Sequence, residues 1–233
     1  MEMLPKIIKY LIMYVPAILG LHAFLYSKYP KYYFFFLRIL SKWRDTTWSV
    51  NVNYKLAEVD GAYQKIETIL KDMYKSERYK RSVNMVNKKY YECGRFNILI
   101  QDDFNTGELS SNTVFVRIPQ LNVTLNNAEE VLRELRELFN TIERQISPLN
   151  SMYNMDVQFK AGQNPFYGLM VQRLGKSNVE HFECVFPISS IVSKNGGNDR
   201  NRHFLRVFKE KMTINEGSFD ILEETAKRAL LFK

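Results

Sequence analysis

The chain of 233 residues contains few of the side chains that build metal sites or disulfide frameworks. It has only two cysteines, Cys93 and Cys184, and three histidines. Neither cysteine belongs to a Cys-x-x-Cys motif, which excludes a disulfide framework and fits a reducing compartment. The cysteines and histidines also lack the spacing of a zinc site, so we expect no metal and no cofactor.

The common catalytic motifs are missing as well. The sequence has no phosphate-binding P-loop, no dinucleotide fingerprint, no nucleophile elbow and no HExxH motif. His181 and Glu183 are two residues apart, so on a strand they share one face while Cys184 points away. We therefore expect a protein without enzymatic activity. The alternative is an enzyme with a dispersed acid-base site around His181 and Glu183. The simpler interpretation of these two residues is a polar pair on a solvated face of the sheet.

One long apolar run is present, over residues 7–25, and the rest of the chain is organised around it. Only Lys9, Pro16, Gly20 and His22 in this run are not apolar. As a helix it would reach about 28 Å, close to the roughly 30 Å hydrocarbon core of a bilayer. A membrane-spanning helix is therefore the leading interpretation. The alternatives are an interfacial helix, a buried core helix and a cleaved signal peptide.

Residues 32–40 form a second apolar segment, which is too short to cross a bilayer as a helix. We interpret it as an interfacial helix, or alternatively as the second leg of a helical hairpin. Residues 1–45 are thus predicted to be a membrane anchor and juxtamembrane segment, with the lipid bilayer as a partner. The basic residues that follow the apolar run outnumber those before it, which favours a single-pass protein with a cytoplasmic body; they are Lys28, Lys31, Arg38, Lys42 and Arg44.

Residues 46–233 are predicted to form an α+β body. Alternation from Trp48 to Leu56 indicates a half-buried strand, and the apolar spacing in residues 62–74 and 128–146 indicates helices. Pro119 is expected to end the strand at residues 113–118. The remaining strands are predicted at residues 88–92, 96–101, 121–125, 156–161, 166–174, 179–186 and 204–214, with a final helix after Ser218.

This order repeats a strand-helix-strand-strand-strand pattern, over residues 48–118 and then 121–187. It predicts a mainly antiparallel sheet with helices on one face and the other face free for a partner. The body could accordingly be divided into two sub-units, at residues 46–118 and 119–233. The residues of the two units do not align, so the repeat is one of topology.

The net charge of +8 favours anionic partners. Two basic segments, residues 71–91 and 193–203, supply the candidate ligand-binding side chains, which are Lys75, Arg78, Lys80, Arg81, Lys194, Arg200 and Arg202. The leading hypothesis is a membrane-anchored binding or effector module that recognises a protein or an anionic ligand. The alternative is a nucleic-acid or nucleotide-binding protein that uses both basic segments. The oligomeric state stays open.

Overall fold

A nine-stranded antiparallel sheet forms the centre of the computed structural model. The model describes residues 3–40, 46–59, 61–85, 88–102, 112–124, 126–160, 164–175, 179, 181–192 and 203–231. The strands are β1 (Thr46–Lys55), β2 (Tyr79–Asn84), β3 (Lys88–Cys93), β4 (Phe96–Asp102), β5 (Thr113–Val123), β6 (Asn150–Phe159), β7 (Glu183–Pro187), β8 (Phe204–Phe208) and β9 (Lys211–Glu216). The helices are α1 (Met3–Lys28), α2 (Pro30–Leu40), α3 (Ala62–Arg78), α4 (Ala128–Ile146), α5 (Pro165–Leu174) and α6 (Phe219–Leu231).

The strand order is β2-β3-β4-β5-β1-β6-β9-β8-β7, with every neighbouring pair antiparallel. β1 is followed by α3 and then by a meander whose last strand, β5, returns beside β1. β6 is followed by α5 and by a second meander whose last strand, β9, returns beside β6. β1 and β6 join the two halves along their full lengths, from Thr46 opposite Phe159 to Lys55 opposite Asn150. The α+β class and the antiparallel sheet are therefore confirmed, whereas the division into sub-units at residue 118 stays a prediction.

One face of the sheet packs against α3, α4 and α6. On β1, Trp48, Val50, Val52 and Tyr54 are all buried, as the alternation predicted. The helix α4 buries a stripe of apolar side chains, and its Phe139 ring lies 5.6 Å from Tyr153 on β6. Burying each large apolar side chain contributes roughly 1.5–3 kcal/mol, so this layer of helix on sheet dominates the stability of the body.

Residues 166–174 are helical in the structure, so the strand predicted there is wrong. The helix α5 begins with Pro165, and the side chain of Asn164 accepts a hydrogen bond from the Phe166 N–H at 3.0 Å. A proline in the first turn and an asparagine cap are a helix start signal. The apolar run is too short and too uniform to show a helical period, which explains the misassignment.

Pro119 does not end its strand, contrary to the sequence prediction. β5 continues to Val123, and its register against β1 shifts by a residue between Trp48 and Val50. A proline fits at such a bulge because the local ladder hydrogen bond is already missing. Other boundaries differ as well: β6 begins at Asn150, β7 begins at Glu183 and not at residue 179, and residues 204–214 form two strands. The strand β2 was not predicted.

The N-terminal residues form a helical hairpin of α1 and α2, which was one of the alternatives for residues 32–40. Within the described residues, no helix combines the length and the hydropathy needed to cross a bilayer. The membrane-spanning helix predicted from residues 7–25 is therefore not supported. Residues 14–21 of α1 are all exposed, so this part of the run is not a core helix.

Candidate functional site

The outer side of the helical hairpin exposes large apolar side chains. Among the described residues, its large apolar side chains that are more than half exposed are Tyr14, Ile18, Leu19, Leu21, Phe24, Phe35 and Ile39, which we call the apolar hairpin surface. Monomeric soluble proteins seldom expose so many large apolar groups together. Such a surface is typical of a segment that enters lipid or an apolar partner.

The inner side of the hairpin is held by aromatic contacts. The His22 ring of α1 lies 4.4 Å from Phe36 of α2, and its Nδ1 is 3.0 Å from the Tyr32 hydroxyl. The hairpin in turn rests on α5, where Phe34 lies 5.5 Å from Phe166 and the Tyr33 side chain is buried. These contacts attach the hairpin to the body and leave the apolar hairpin surface exposed.

Basic side chains lie at the turn of the hairpin. Lys28 and Lys31 are both exposed, and the Lys28 ammonium lies 5.0 Å from the centre of the Phe24 ring. Lysines beside exposed aromatic rings suit an interface between water and anionic lipid headgroups.

The sheet face that points away from α3, α4 and α6, the open face, is mostly polar. The ladder registers align one row of side chains across seven strands of this face. From β3 to β8 the row contains Tyr90, Leu99, Arg117, Asn51, Asn154, Asn215 and Phe204, and we call it the open-face row. Three asparagines on adjacent central strands thus lie between aromatic and basic side chains.

Two arginines of the open face each lie beside a phenylalanine of the same strand. The guanidinium carbon of Arg117 is 5.7 Å from the centre of the Phe115 ring on β5, and that of Arg206 is 5.0 Å from the Phe204 ring on β8. Four strand spacings separate β5 from β8, a distance of about 19 Å. The face therefore has one arginine–phenylalanine pair on each side of the three asparagines.

The charge of the open face is positive. Six of its described side chains are cationic and three are carboxylates. Each carboxylate has a polar partner: Glu183 with Arg206 at 3.4 Å, Asp156 with Lys211 at 3.0 Å, and Glu92 with the Ser82 hydroxyl at 2.6 Å. Across the described ranges, no ion pair involves Lys55, Lys88 or Arg117, so their charge is available to a ligand.

A shallow cavity of about 640 Å³ lies at one end of the open face. Its lining consists mainly of amide and hydroxyl side chains, including Thr47, Asn122 and Gln158, with Lys160 and Glu210 as its charged groups. This cavity extends the polar character of the face to the ends of β1, β5 and β6. It has the size of a pocket for a small ligand or for one residue of a longer one.

The structure does not bring the predicted basic residues of segment 71–91 together. Lys75 is exposed at a kink in α3 with φ of 42°, and Lys80 and Arg81 lie on opposite faces of β2. Arg78 ends α3, but its side chain is outside the described part of the chain. The loop residues Lys194, Arg200 and Arg202 also fall outside the described residues, so their role stays a prediction.

Much of the positive charge in segment 71–91 converges on one carboxylate. Glu67 of α3 lies 3.4 Å from Lys71, 3.3 Å from Arg81 and 3.7 Å from Lys89, and it accepts a hydrogen bond from the Tyr79 hydroxyl at 3.2 Å. Burial raises the pKa of Glu67, but the opposing cations outweigh it and hold the pKa below its usual value. These contacts fasten β2 and β3 to α3, so part of the basic segment is structural.

His181 and Glu183 lie together, as their spacing predicted, but in the open. The Nε2 atom of His181 is 3.6 Å from the Glu183 carboxylate, and the histidine side chain is 82% exposed. Glu183 also contacts Arg206. Among the described residues, no group of three or more histidine, cysteine or acidic side chains could hold a metal ion. Because the His181 side chain is so exposed, the pair does not form an enclosed acid-base site.

Sequence reasoning missed the open-face row. The alternation in β1 implies a polar face, which contains Asn51 and Asn53, but their neighbours on β5, β6 and β9 depend on the ladder registers. The available signal was the alternation of asparagine with apolar residues, in β1 and again in β6 around Asn154. A periodic pattern identifies a face and not the strands beside it.

The fold and these surfaces define an α+β protein with an open antiparallel sheet. No protein family model matches the chain, and no curated protein matches it. Among solved structures, the chain is similar to the Pseudomonas aeruginosa T6SS protein PA0821, with a TM-score of 0.34 and 10% sequence identity. The match covers 74% of this chain and 65% of that one. So distant a similarity assigns no function.

Proposed function

We propose that the protein is a non-enzymatic binding module, held at a membrane surface by the α1–α2 hairpin, that presents the open face of its sheet to a ligand. The observation that carries this proposal is the apolar hairpin surface, where Ile18, Leu19 and Leu21 of α1 are about 60% exposed. The hairpin enters the headgroup region and does not have to span the bilayer.

The energetics favour lipid as the occupant of this surface. A fully buried large apolar side chain gains roughly 1.5–3 kcal/mol over an exposed one, so half-exposed side chains retain about half of that gain. Seven such side chains together supply several kcal/mol on entering lipid. Lys28 and Lys31 at the turn of the hairpin add attraction to anionic headgroups, at about 1 kcal/mol for each basic residue near the surface.

The geometry of attachment leaves the body free to bind. Tyr33 and Phe34 of α2 hold the hairpin against α5, and the apolar hairpin surface points away from these contacts. Lys28 and Lys31 at the turn favour the cytoplasmic side of the membrane for the body, because that leaflet carries anionic lipid. A ligand would then be recognised close to that membrane surface.

Liposome flotation of the full chain tests this proposal. We expect the protein to float with vesicles that contain anionic lipid, and less well with neutral vesicles. The double variant Ile18→Asp/Leu19→Asp should remain at the bottom of the gradient, because two charges on α1 oppose entry into lipid. The matched control is Leu149→Asp, since Leu149 is 68% exposed on the body and outside the hairpin.

Two results would contradict membrane attachment. One is a full chain that stays at the bottom with every lipid composition. The other is equal flotation of the double variant and the parent. A soluble oligomer that dissociates in the double variant would instead assign the apolar hairpin surface to a second copy of the chain.

A further inference from the structure

We infer that the open face binds single-stranded nucleic acid, with bases on its aromatic side chains and phosphates on Arg117 and Arg206. This inference rests on the proposed function in one respect, the use of the open face as the ligand surface. It does not depend on the membrane hairpin. The occupant is argued from three properties of the face: its aromatic rings, its amides and its charge.

The aromatic rings provide stacking surfaces. Phe115 on β5, Phe204 on β8 and Tyr90 on β3 are all partly exposed on the open face. Stacking on an exposed aromatic side chain contributes to the binding of any base, since every base has a π face. The flat sheet spaces these rings across several strands, which suits bases that are splayed apart and not bases stacked within a duplex.

The amides between the rings can pair with base edges. Asn51 and Asn154 face each other on adjacent strands, and neither side-chain amide has a hydrogen-bond partner among the described residues. An asparagine amide offers one acceptor and two donors, which match the edge of an unpaired base. A hydrogen bond between these two amides on a partly exposed face would add little stability. Their donors and acceptors are therefore available to a bound ligand.

The charge of the face completes the match. Arg117 is the basic residue of the open-face row, and no ion pair involves it within the described residues. Lys55 on β1 and Lys88 on β3 add charge to the same face. The Arg206 guanidinium shares its charge with Glu183 but still lies beside the Phe204 ring. Phosphates of a strand that crosses the sheet from β5 to β8 would meet a cation at each end of the asparagine row. The span of about 19 Å accommodates a few nucleotides.

The test measures binding of the full chain, in non-ionic detergent, to a fluorescent single-stranded 12-mer of mixed sequence, as RNA and as DNA. We expect binding whose logarithmic salt slope is about −2, since each phosphate neutralised on a single strand contributes about −0.7 and three cations are available. Phe204→Ala should weaken binding about 5-fold or more through lost stacking. Arg117→Gln should weaken it and make the slope shallower by about 0.7.

The matched control is Arg133→Gln, because Arg133 is an exposed cation on α4, on the opposite side of the sheet. It should change binding less than 2-fold. A duplex of the same sequence should bind more weakly than the single strand, because its bases are not free to stack. Polyphosphate should compete poorly, because it has phosphates but no bases.

Three results would overturn the inference: no binding of either 12-mer, equal competition by polyphosphate, or a Phe204→Ala variant that binds as well as the parent while Arg133→Gln binds less. Flotation of the same preparation separates the two proposals. If the protein floats but does not bind the 12-mer, the nucleic-acid inference fails and membrane attachment stands. If it binds the 12-mer but does not float, the hairpin proposal fails alone.

Discussion

The Tyr33 hydroxyl of α2 occupies the position where a side chain on Gly168 of α5 would begin. A β-carbon built on Gly168 would lie 2.5 Å from the Tyr33 oxygen and 3.8 Å from the carbon that bears it. The Tyr33 side chain is only 4% exposed. The close approach of these two residues therefore sets how the apolar hairpin docks on the body.

Gly168→Ala should weaken the docking of the hairpin. Glycine in a helix normally costs about 1 kcal/mol relative to alanine, so without a clash the substitution would stabilise α5. Here the new methyl group collides with the Tyr33 hydroxyl, and overpacking costs about 1–3 kcal/mol. We expect a lower free energy of unfolding in urea and faster proteolysis within residues 29–40.

The second substitution Tyr33→Phe should rescue Gly168→Ala. Removing the hydroxyl leaves the nearest ring carbon at an ordinary contact distance from the new methyl group. The double variant should recover at least 1 kcal/mol relative to Gly168→Ala. Gly20→Ala on α1 is the matched control, since nothing lies within 4 Å of its added carbon and it should stabilise the helix slightly. A Gly168→Ala variant as stable as Gly20→Ala would contradict the docking contact.

The two thiols should differ in their reactivity toward an alkylating reagent. Cys93 is fully buried on β3, and burial raises its pKa to about 12, so almost no thiolate is present at neutral pH. Cys184 on β7 is only partly buried. The thiolate is the reactive form, and the reagent must be able to reach it. We therefore expect one thiol of the native protein to be alkylated, and none in Cys184→Ser until denaturant is added. Mass spectrometry of the labelled peptides measures this, and early labelling of Cys93 would contradict its burial.

Much of the fold could be predicted from residue patterns. The alternation of Trp48, Val50, Val52 and Tyr54 identified β1 because one face of that strand is buried and the other is not. The stripe on α4 was equally clear, since a helix on a sheet buries a wide apolar face. These predictions succeeded where packing imposes a strong period over ten or more residues.

Other elements were mispredicted because tertiary contacts decide them. β2 is rich in charge, and it joins the sheet at an edge where Arg81 is held by Glu67 across from it. Pro119 is accommodated because the neighbouring strand shifts its register, which the local sequence does not show. The apolar run of α5 has no clear period, so its cap at Asn164 and the following Pro165 were the local evidence for a helix.

The candidate surfaces were less accessible from the sequence than the fold. The apolar hairpin surface was foreseen as an apolar run, but its attachment through Tyr33 and Gly168 joins residues 135 positions apart. The open-face row requires the registers of seven strands at once. Neither relationship leaves a periodic trace in the sequence, because both depend on contacts between distant segments.

Alkaline pH should destabilise the body through its buried tyrosines. Tyr54 and Tyr153 are fully buried, and burial raises both pKa values far above the ordinary value. The Glu143 carboxylate, which accepts the Tyr153 hydroxyl at 2.5 Å, raises the pKa of Tyr153 further. A tyrosine with a raised folded pKa stabilises the fold fully below its unfolded pKa of about 10, and this stability is lost as the pH rises above that value. Each such tyrosine should remove about 1.4 kcal/mol per pH unit above pH 10.

Urea unfolding between pH 8 and pH 11 measures this loss. Tyr153→Phe should be less stable than the parent at pH 8, because the variant lacks the hydrogen bond to Glu143. Above pH 10 the stability of the variant should fall less steeply than that of the parent, by about 1.4 kcal/mol per pH unit. The two stability curves should therefore converge as the pH rises. Tyr29→Phe removes a half-exposed hydroxyl on the hairpin and provides the matched control. Parallel curves for Tyr153→Phe and the parent would show that the Tyr153 hydroxyl is not held neutral by the fold, which would contradict the buried Tyr54, Tyr153 and Glu143 arrangement under α4.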